Sequence, residues 1–425
     1  MKLAKLRGLH NKITNWFSGL EVEKEEVSTN KASGRVLGRD VFVPEDLPPF
    51  TRSAVDGYAV KAEDTFGAGE SHPAYFNVKY EVKMGEEPDF VLQQGEAAEI
   101  ATGAMLPEGA DSCIMVEHTE MIAGSKLEVY RDIAVGENVI NRGDDVHKGD
   151  KLLSRGRIIS PQDIGALSGL GIVKIEVYAK PTASILATGD EVIPPEAEKK
   201  RGQIRDINTP ALSSLFSSWG FNIRSDSIIP DREEALQNTI GEHLDSDLIV
   251  ISGGSSVGQR DFTLKVIDKL GEPGVLLHGL AVKPGKPTIL GLVKSTPVIG
   301  LPGNPASAWI VSCLLVPVLL DILQNREPMK SLAGRPEGIS RRLSRRINSA
   351  RGRDEFIPVK LEDGDEAVPI PGKSNLITTL VEAEGLIHIP AKSEGLDKDE
   401  IVEVFSLSSR RGLPGIRGDN EDDRR

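Results

Sequence analysis

Cysteine is scarce: Cys113 and Cys313 are the two in 425 residues, far apart and without a Cys-x-x-Cys spacing. That argues against a disulfide framework or a zinc knuckle and fits a reducing cytoplasm. Positive charge is also in deficit, with 51 Lys and Arg against 64 Asp and Glu and a formal net charge of −13. Duplex binding depends on cations that neutralise phosphates, so nucleic acid is not expected as the main partner. No apolar run reaches membrane length. Residues 309–320, about twelve with Pro317 inside, fall short of the roughly twenty that a span needs. Residues 1–20 are basic and amphipathic but lack the continuous apolar core of a signal peptide. The seven histidines are scattered, none at metal-ligand spacing, and no Ser-His-Asp arrangement emerges. The expectation is a soluble protein with no membrane and no nucleic-acid partner.

What the chain does have is glycine and proline in informative places. Three turn-rich signatures follow one another within about sixty residues: Ser252-Gly-Gly-Ser-Ser-Val-Gly258, Lys283-Pro-Gly-Lys-Pro287 and Leu301-Pro-Gly-Asn-Pro-Ala-Ser307. The first follows the apolar run 248–251, so it reads as a buried parallel strand opening into a loop, the place where open α/β sheets bind ligands. Gly253 and Gly254, followed by Ser255, can expose successive backbone N–H groups as an anion nest, and Lys283 and Lys286 on a Pro-Gly turn add positive charge. Pro302, Gly303 and Asn304 end a strand and open a helix at the positive end of its dipole. Gln259 and Arg260 stand where a P-loop needs Lys and Ser/Thr, which argues against an ATP-hydrolysing loop.

Periodicity divides the chain into five stretches. Residues 1–44 start helical and turn extended; 45–140 carry short β runs broken by Gly and Pro; 141–180 are mixed, with Ser160-Pro161 opening a helix. From 181 to 326 apolar strands alternate with amphipathic helices, the pattern of a doubly wound parallel sheet. Residues 327–408 read as a small β domain, and 409–425 as a disordered tail.

Acidic residues gather at the predicted strand ends: Asp190 and Glu191 after 184–187, Asp231 after 223–229, Asp261 past the glycine loop. Converging carboxylates suit Mg²⁺, although Asp231 and Asp261 could equally cap the helices that follow them. Asp56 and Thr102 read by chemistry alone as turn residues. The arginines 341–353 read as a solvated basic face, one member of which can still contact an anion.

Six ordered motifs then match a known family. Through Ser53-Ala-Val-Asp-Gly-Tyr58, Gly103-Ala-Met-Leu-Pro-Glu-Gly-Ala110, Thr188-Gly-Asp-Glu191, the three signatures and Gly352-Arg-Asp-Glu-Phe356, the chain resembles the molybdopterin molybdotransferases, gephyrin-like enzymes of molybdenum cofactor assembly. The resemblance implies a multidomain α/β plus β protein. An elongated mixed domain (1–44 with 141–180) would carry an inserted β domain (45–140), followed by a central doubly wound molybdopterin-binding α/β domain (181–326) and a C-terminal β domain (327–408). It implies insertion of molybdate, or tungstate, into adenylylated molybdopterin, with Mg²⁺-dependent adenylate cleavage and release of AMP. Asp231 and Asp261 then resemble Mg²⁺ ligands, Glu191 and Asp56 catalytic-site acids, and Thr102 a cleft contact. Lys283, Lys286, Arg353 and Ser374 resemble a molybdate site. Thr188, Asp206, Gly254 and Ser255 resemble pterin-phosphate contacts, a role that also falls to Gly253, Pro302, Gly303 and Asn304. Asp56 and Thr102 resemble residues that reach a neighbouring subunit's cleft, which implies a homodimer; a transient contact with the adenylyltransferase that supplies the substrate is also implied. Some relatives carry a lysine where this chain has Gly279. Two alternatives from the same resemblance are the adenylylation step itself and a non-enzymatic scaffold.

Overall fold

A computed structural model describes residues 3–253, 259–326, 338–362, 365–370 and 378–406, with backbone alone at 123, 259–261 and 406. The tail 409–425 lies outside the described residues. The chain falls into two compact units, residues 26–175 and residues 1–25 with 176–425.

In the first unit a six-stranded sheet runs in the order Ser112–Met115, Gly57–Val60, Glu96–Ile100, Ala74–Val82, Lys126–Val129, Thr119–Ala123. Successive side chains of a strand point to opposite faces, and here both faces are covered. Tyr58 and Val60 pack with Phe76, Ala97 and Ile114, while Ala59 packs with Val82, Ala98 and Cys113. Gly57 has no room for a side chain, since a Cβ would overlap the Ile114 carbonyl. The expected helix after Ser160 spans Pro161–Gly169 and is closed by a capping box between Ser160 and Asp163.

In the second unit the main elements from residue 182 onward, four two-residue strands aside, are β1 (Thr182–Thr188), α1 (Asn208–Ser218), β2 (Asn222–Ile229), α2 (Glu233–Glu242), β3 (Leu248–Gly253), α3 (Gln259–Leu270), β4 (Pro273–His278), β5 (Val282–Lys283), β6 (Ile289–Val293), β7 (Thr296–Leu301), α4 (Pro305–Leu323), β8 (Ile339–Leu343), β9 (Asp354–Glu362), β10 (Glu366–Pro369), α5 (Thr378–Val381), β11 (Gly385–Ile389) and β12 (Ile401–Ser406). The central sheet has the order β2-β1-β3-β7-β6-β4. Its apolar strands are buried on both faces, which is why β1 and β3 read as continuous hydrophobic runs. The core between sheet and helices joins Leu186, Ile249, Ile251, Ile240, Val266, Ile267 and Val298.

The first four strands pair parallel, but β6 and β4 pair antiparallel. The doubly wound parallel sheet expected from the sequence is thus present with an antiparallel edge added to it. Two residues, Lys294 and Ser295, separate β6 from β7, and so short a connection can only make a hairpin. From β1 the chain winds to β2 on one side, then returns to place β3 on the other. That reversal makes a crevice at the carboxyl ends of β1 and β3.

β9, β10, β8, β12 and β11 close into a small barrel, because β9 pairs with both β10 and β11. Leu343, Val359, Ala367, Ile387, Val402 and Val404 fill it. β5 adds to the outer flank of β9, parallel, with Val282 opposite Asp354 and Lys283 opposite Glu355.

Helix α4 runs for 19 residues from just after Asn304, as the sequence leads one to expect, and Pro317 lies inside it. By length and composition it could cross a membrane, but 89% of its apolar window is buried within the structure. An all-round hydrophobic helix is what a core position requires.

Ile249, the second residue of β3, is fully buried. Ile249→Ala is expected to destabilise by about 2–5 kcal/mol and Ile249→Val by about 0.5–1.5 kcal/mol. Urea midpoints that fail to rank the two in this order would place the strand outside the core.

Candidate active site

Parallel register brings the motifs to one edge. Thr188, the last residue of β1, pairs with Gly253 at the end of β3 and with Ile229 at the end of β2. Gly253 holds φ +122, and a Cβ there would collide with the Thr188 carbonyl. Only glycine allows the two strands to end this close together. Asn208, at the start of α1, ties two of the signatures: its Nδ2 donates to Ser252 Oγ at 2.7 Å and to the Gly303 carbonyl at 2.8 Å. Asp206 is buried, and its Oδ1 accepts from Thr209 N at 3.1 Å, which fixes the turn into α1. Gly254, Ser255 and Ser374 lie outside the described residues.

Carboxylates crowd together after β1 and β2. Asp231 N donates to Asp190 Oδ1 at 3.1 Å. Burial first, then the neighbouring charges of Asp190 and Glu191, push the Asp231 carboxyl above its usual range. The capping alternative is not what is built: Arg232 takes the N-cap of α2, with no side-chain capping bond. Asp261 falls in the first turn of α3 instead of before it, and its side chain is outside the described residues. Among the described residues no three of His, Cys, Asp or Glu are gathered into a metal cage. Mg²⁺ asks for less, keeping its waters and taking one or two carboxylates with substrate phosphates. Crowding that lifts a carboxyl's pKa is what a divalent cation relieves, so the donor set fits that ion.

Cations line a cavity of the same unit. A cavity of about 400 Å³ is lined by Val282, Lys283, Pro284, Gly285, Lys286, Pro287, Pro302, Asn304, Ser307 and Arg353. Gly285 has φ +118, and a Cβ there would lie 2.5 Å from Val311 Cγ2, so the Pro-Gly turn is pressed onto α4. Thr288 Oγ1 closes the turn on the Gly285 carbonyl at 2.7 Å. Asn304 and Ser307 contribute the opening of α4, the positive end of the helix dipole. The division drawn from the sequence, lysines for one ligand and the Pro-Gly-Asn turn for another, therefore meets in a single cavity: Pro302 and Asn304 line it, whereas Gly303 turns its carbonyl to Asn208.

Asp56 and Thr102 lie in the other unit, and they belong together. Asp56 Oδ1 accepts from Thr102 N at 2.7 Å and from Thr102 Oγ1 at 2.9 Å. The backbone bond and then the hydroxyl bond hold the Asp56 carboxyl below its usual range.

Sequence reasoning missed Asn208, Ser307 and the buried Glu355, whose Oε1 is 2.6 Å from Lys283 Nζ. Glu355 was within reach, because it stands inside the quoted Gly352–Phe356 motif.

A group whose folded pKa is raised contributes stability below its ordinary pKa and loses it as pH rises through the raised value. Asp231→Asn is therefore expected to raise the thermal midpoint at pH 7–8, with the gain shrinking as pH falls toward about 4, the usual carboxylate range. A gain that does not change with pH would remove charge crowding as its cause.

Comparison with known proteins gives a consistent result along the chain. The MoeA N-terminal region (domain I and II) matches residues 5–171, the "Probable molybdopterin binding domain" residues 184–321, and the MoeA C-terminal region (domain IV) residues 340–407. A molybdopterin biosynthesis protein of Methanocaldococcus jannaschii is 35% identical over 90% of this chain and 92% of its own. Molybdopterin molybdenumtransferase 2 of Mycobacterium tuberculosis is 30% identical over 89% and 92%. The crystal structure of the molybdopterin biosynthesis MoeA protein from Pyrococcus horikosii superposes with a TM-score of 0.82 at 39% identity, covering 96% of this chain and 99% of that one. Taken with the edge geometry, these matches show that the chain belongs to the MoeA family of molybdopterin molybdenumtransferases.

Proposed function

We propose that this chain inserts molybdenum into molybdopterin, taking the pterin as its adenylylated form and releasing AMP. The observation that carries the reading is the cavity in which Lys283, Lys286, Arg353 and the opening of α4 converge, in the same unit as the acidic edge of the central sheet. A tetrahedral oxyanion, molybdate or tungstate, is the substrate that this cavity suits. Charge-assisted bonds from lysine and arginine hold such an ion more strongly than neutral donors would. Ser374 completes that set in this reading.

Gly253, Gly254 and Ser255, with Thr188 and Asp206 beside them, take the terminal phosphate of the pterin at the crevice between β1 and β3. Asn208 keeps the glycine loop and the Pro302-Gly303-Asn304 turn in register, so phosphate and oxyanion are held on one frame; fixed placement of two reactants removes most of the entropy cost of bringing them together. Asp231 and Asp261 would hold Mg²⁺, which neutralises charge on the phosphoanhydride when bound. Glu191, exposed beside Asp231, exchanges a proton with solvent during cleavage, and Asp56, kept ionised by Thr102, acts in the cleft of a second copy. The reading includes the four-domain division given above, a homodimer, a cytoplasmic setting and brief contact with the adenylyltransferase.

With adenylylated molybdopterin, Mg²⁺ and molybdate supplied, AMP release and cofactor formation are expected together. Asp231→Ala combined with Asp261→Ala should cut AMP release by on the order of a hundredfold or more, in line with loss of a metal's charge stabilisation of several kcal/mol; an unchanged rate would refute the Mg²⁺ assignment. Lys286→Met should weaken tungstate binding by roughly 10- to 100-fold, the worth of a hydrogen bond to a charged group of about 1.5–3 kcal/mol. Calorimetric titration that finds equal affinity would remove Lys286 from the site.

A further inference from the structure

The cationic cavity carries its own anion. Lys283 Nζ lies 2.6 Å from Glu355 Oε1; the lysine side chain is half exposed to the cavity while that of Glu355 is 7% exposed. The second carboxylate oxygen is also occupied, since Ser349 Oγ donates to Glu355 Oε2 at 2.6 Å. The parallel pairing of β5 with β9 sets Lys283 directly beside Glu355. Among the described residues, neither Lys286 nor Arg353 meets a carboxylate in an ion pair. A buried carboxylate is costly unless both its oxygens are satisfied, and here they are satisfied by a cation of the cavity and by a hydroxyl.

Resting on the reading of this cavity as a tetrahedral oxyanion site, we infer that Glu355 is an internal counter-ion: it positions Lys283 and shares it with the bound oxyanion, keeping the cavity's hold on a doubly charged ligand below what its three cations would give alone. Lys283 rests on Glu355. An arriving dianion draws part of that ammonium's hydrogen bonding away, while the carboxylate opposes it with like charge. The oxyanion is cargo that must pass to sulfur ligands, so a weaker hold favours its departure. Glu355 touches Lys283 and is a positioning residue, not a catalytic one.

The test compares tungstate with perrhenate, tetrahedral oxyanions of similar shape and charges of −2 and −1, titrated calorimetrically into the full chain. Glu355→Gln keeps the side-chain shape and can still accept from Ser349, but removes the charge. The expected result is tungstate binding at least fivefold tighter than in the unmodified chain. Coulomb energy scales with ligand charge, so perrhenate should gain less, and both gains should shrink with added salt. Tungstate binding that is unchanged or weaker, or an equal gain for both ions, overturns the counter-ion role. Failure of the unmodified chain to bind tungstate at all overturns the oxyanion reading and this inference with it. If Glu355→Gln does not fold, Ser349→Ala decides: with its hydroxyl donor gone, the carboxylate grips Lys283 harder and tungstate should bind at least twofold more weakly. Unchanged or tighter binding in that variant refutes the inference.

Discussion

Two residues of parallel pairing, Val282 and Lys283 against Asp354 and Glu355, are the joint on which the cavity depends. The pairing attaches the segment leaving β4 to the flank of the small barrel, so that Arg353, at the entry of β9, and the Lys283–Lys286 turn line one space. The ladder is short and needs support from both ends. On one side Asp354 N donates to the Ala281 carbonyl at 2.9 Å; on the other, Gly285 lets the turn lie against Val311 of α4. Sheet, barrel and helix each fix one side of the same loop. A charged cavity needs that rigidity, because cations left free to spread would relax away from each other before any ligand arrived.

Two aspartates, one in each unit, show what local surroundings do to the same functional group. Asp56 and Asp231 are both aspartates after a strand or turn, yet the first is held low by two bonds from Thr102 and the second is held high by burial and two acidic neighbours. One favours its charge and the other resists it. The same side chain thus holds its proton loosely in one setting and more firmly in the other.

Much of this was legible in the residues. The apolar runs of β1 and β3, the capped helix at Ser160-Pro161 and the opening of α4 after Asn304 all follow from local pattern. Strand direction did not, because a short apolar run such as 289–293 reads the same whether it pairs parallel or antiparallel. The partnership of Lys283 with Glu355 was equally hidden, since it joins residues far apart in sequence through a register that no local periodicity encodes. Asp56 and Thr102 read as unrelated turn residues for the same reason. Asn208 left no signal at all: an asparagine opening a helix is ordinary, and its double bond to Ser252 and Gly303 exists only once β3 and β7 lie side by side. Asp231 was legible as a cap or as a ligand, and the position of Arg232 at the helix start removes the first of these.

Helix α4 also has a consequence for how the protein is made. Its apolar surface is shielded in part by the helix Leu9–Trp16, and Val22 N donates to the Leu323 carbonyl at 2.8 Å. These partners are separated by about three hundred residues of chain, and closing so long a loop adds an entropy cost that grows only with the logarithm of its length. The cost is modest, but the wait is long: the early helix leaves the ribosome well before α4 exists. Until the two meet, a nascent chain displays a largely apolar segment of nineteen residues with the look of a membrane anchor. Chaperones that bind greasy segments would therefore compete with the amino-terminal helix for α4 during synthesis.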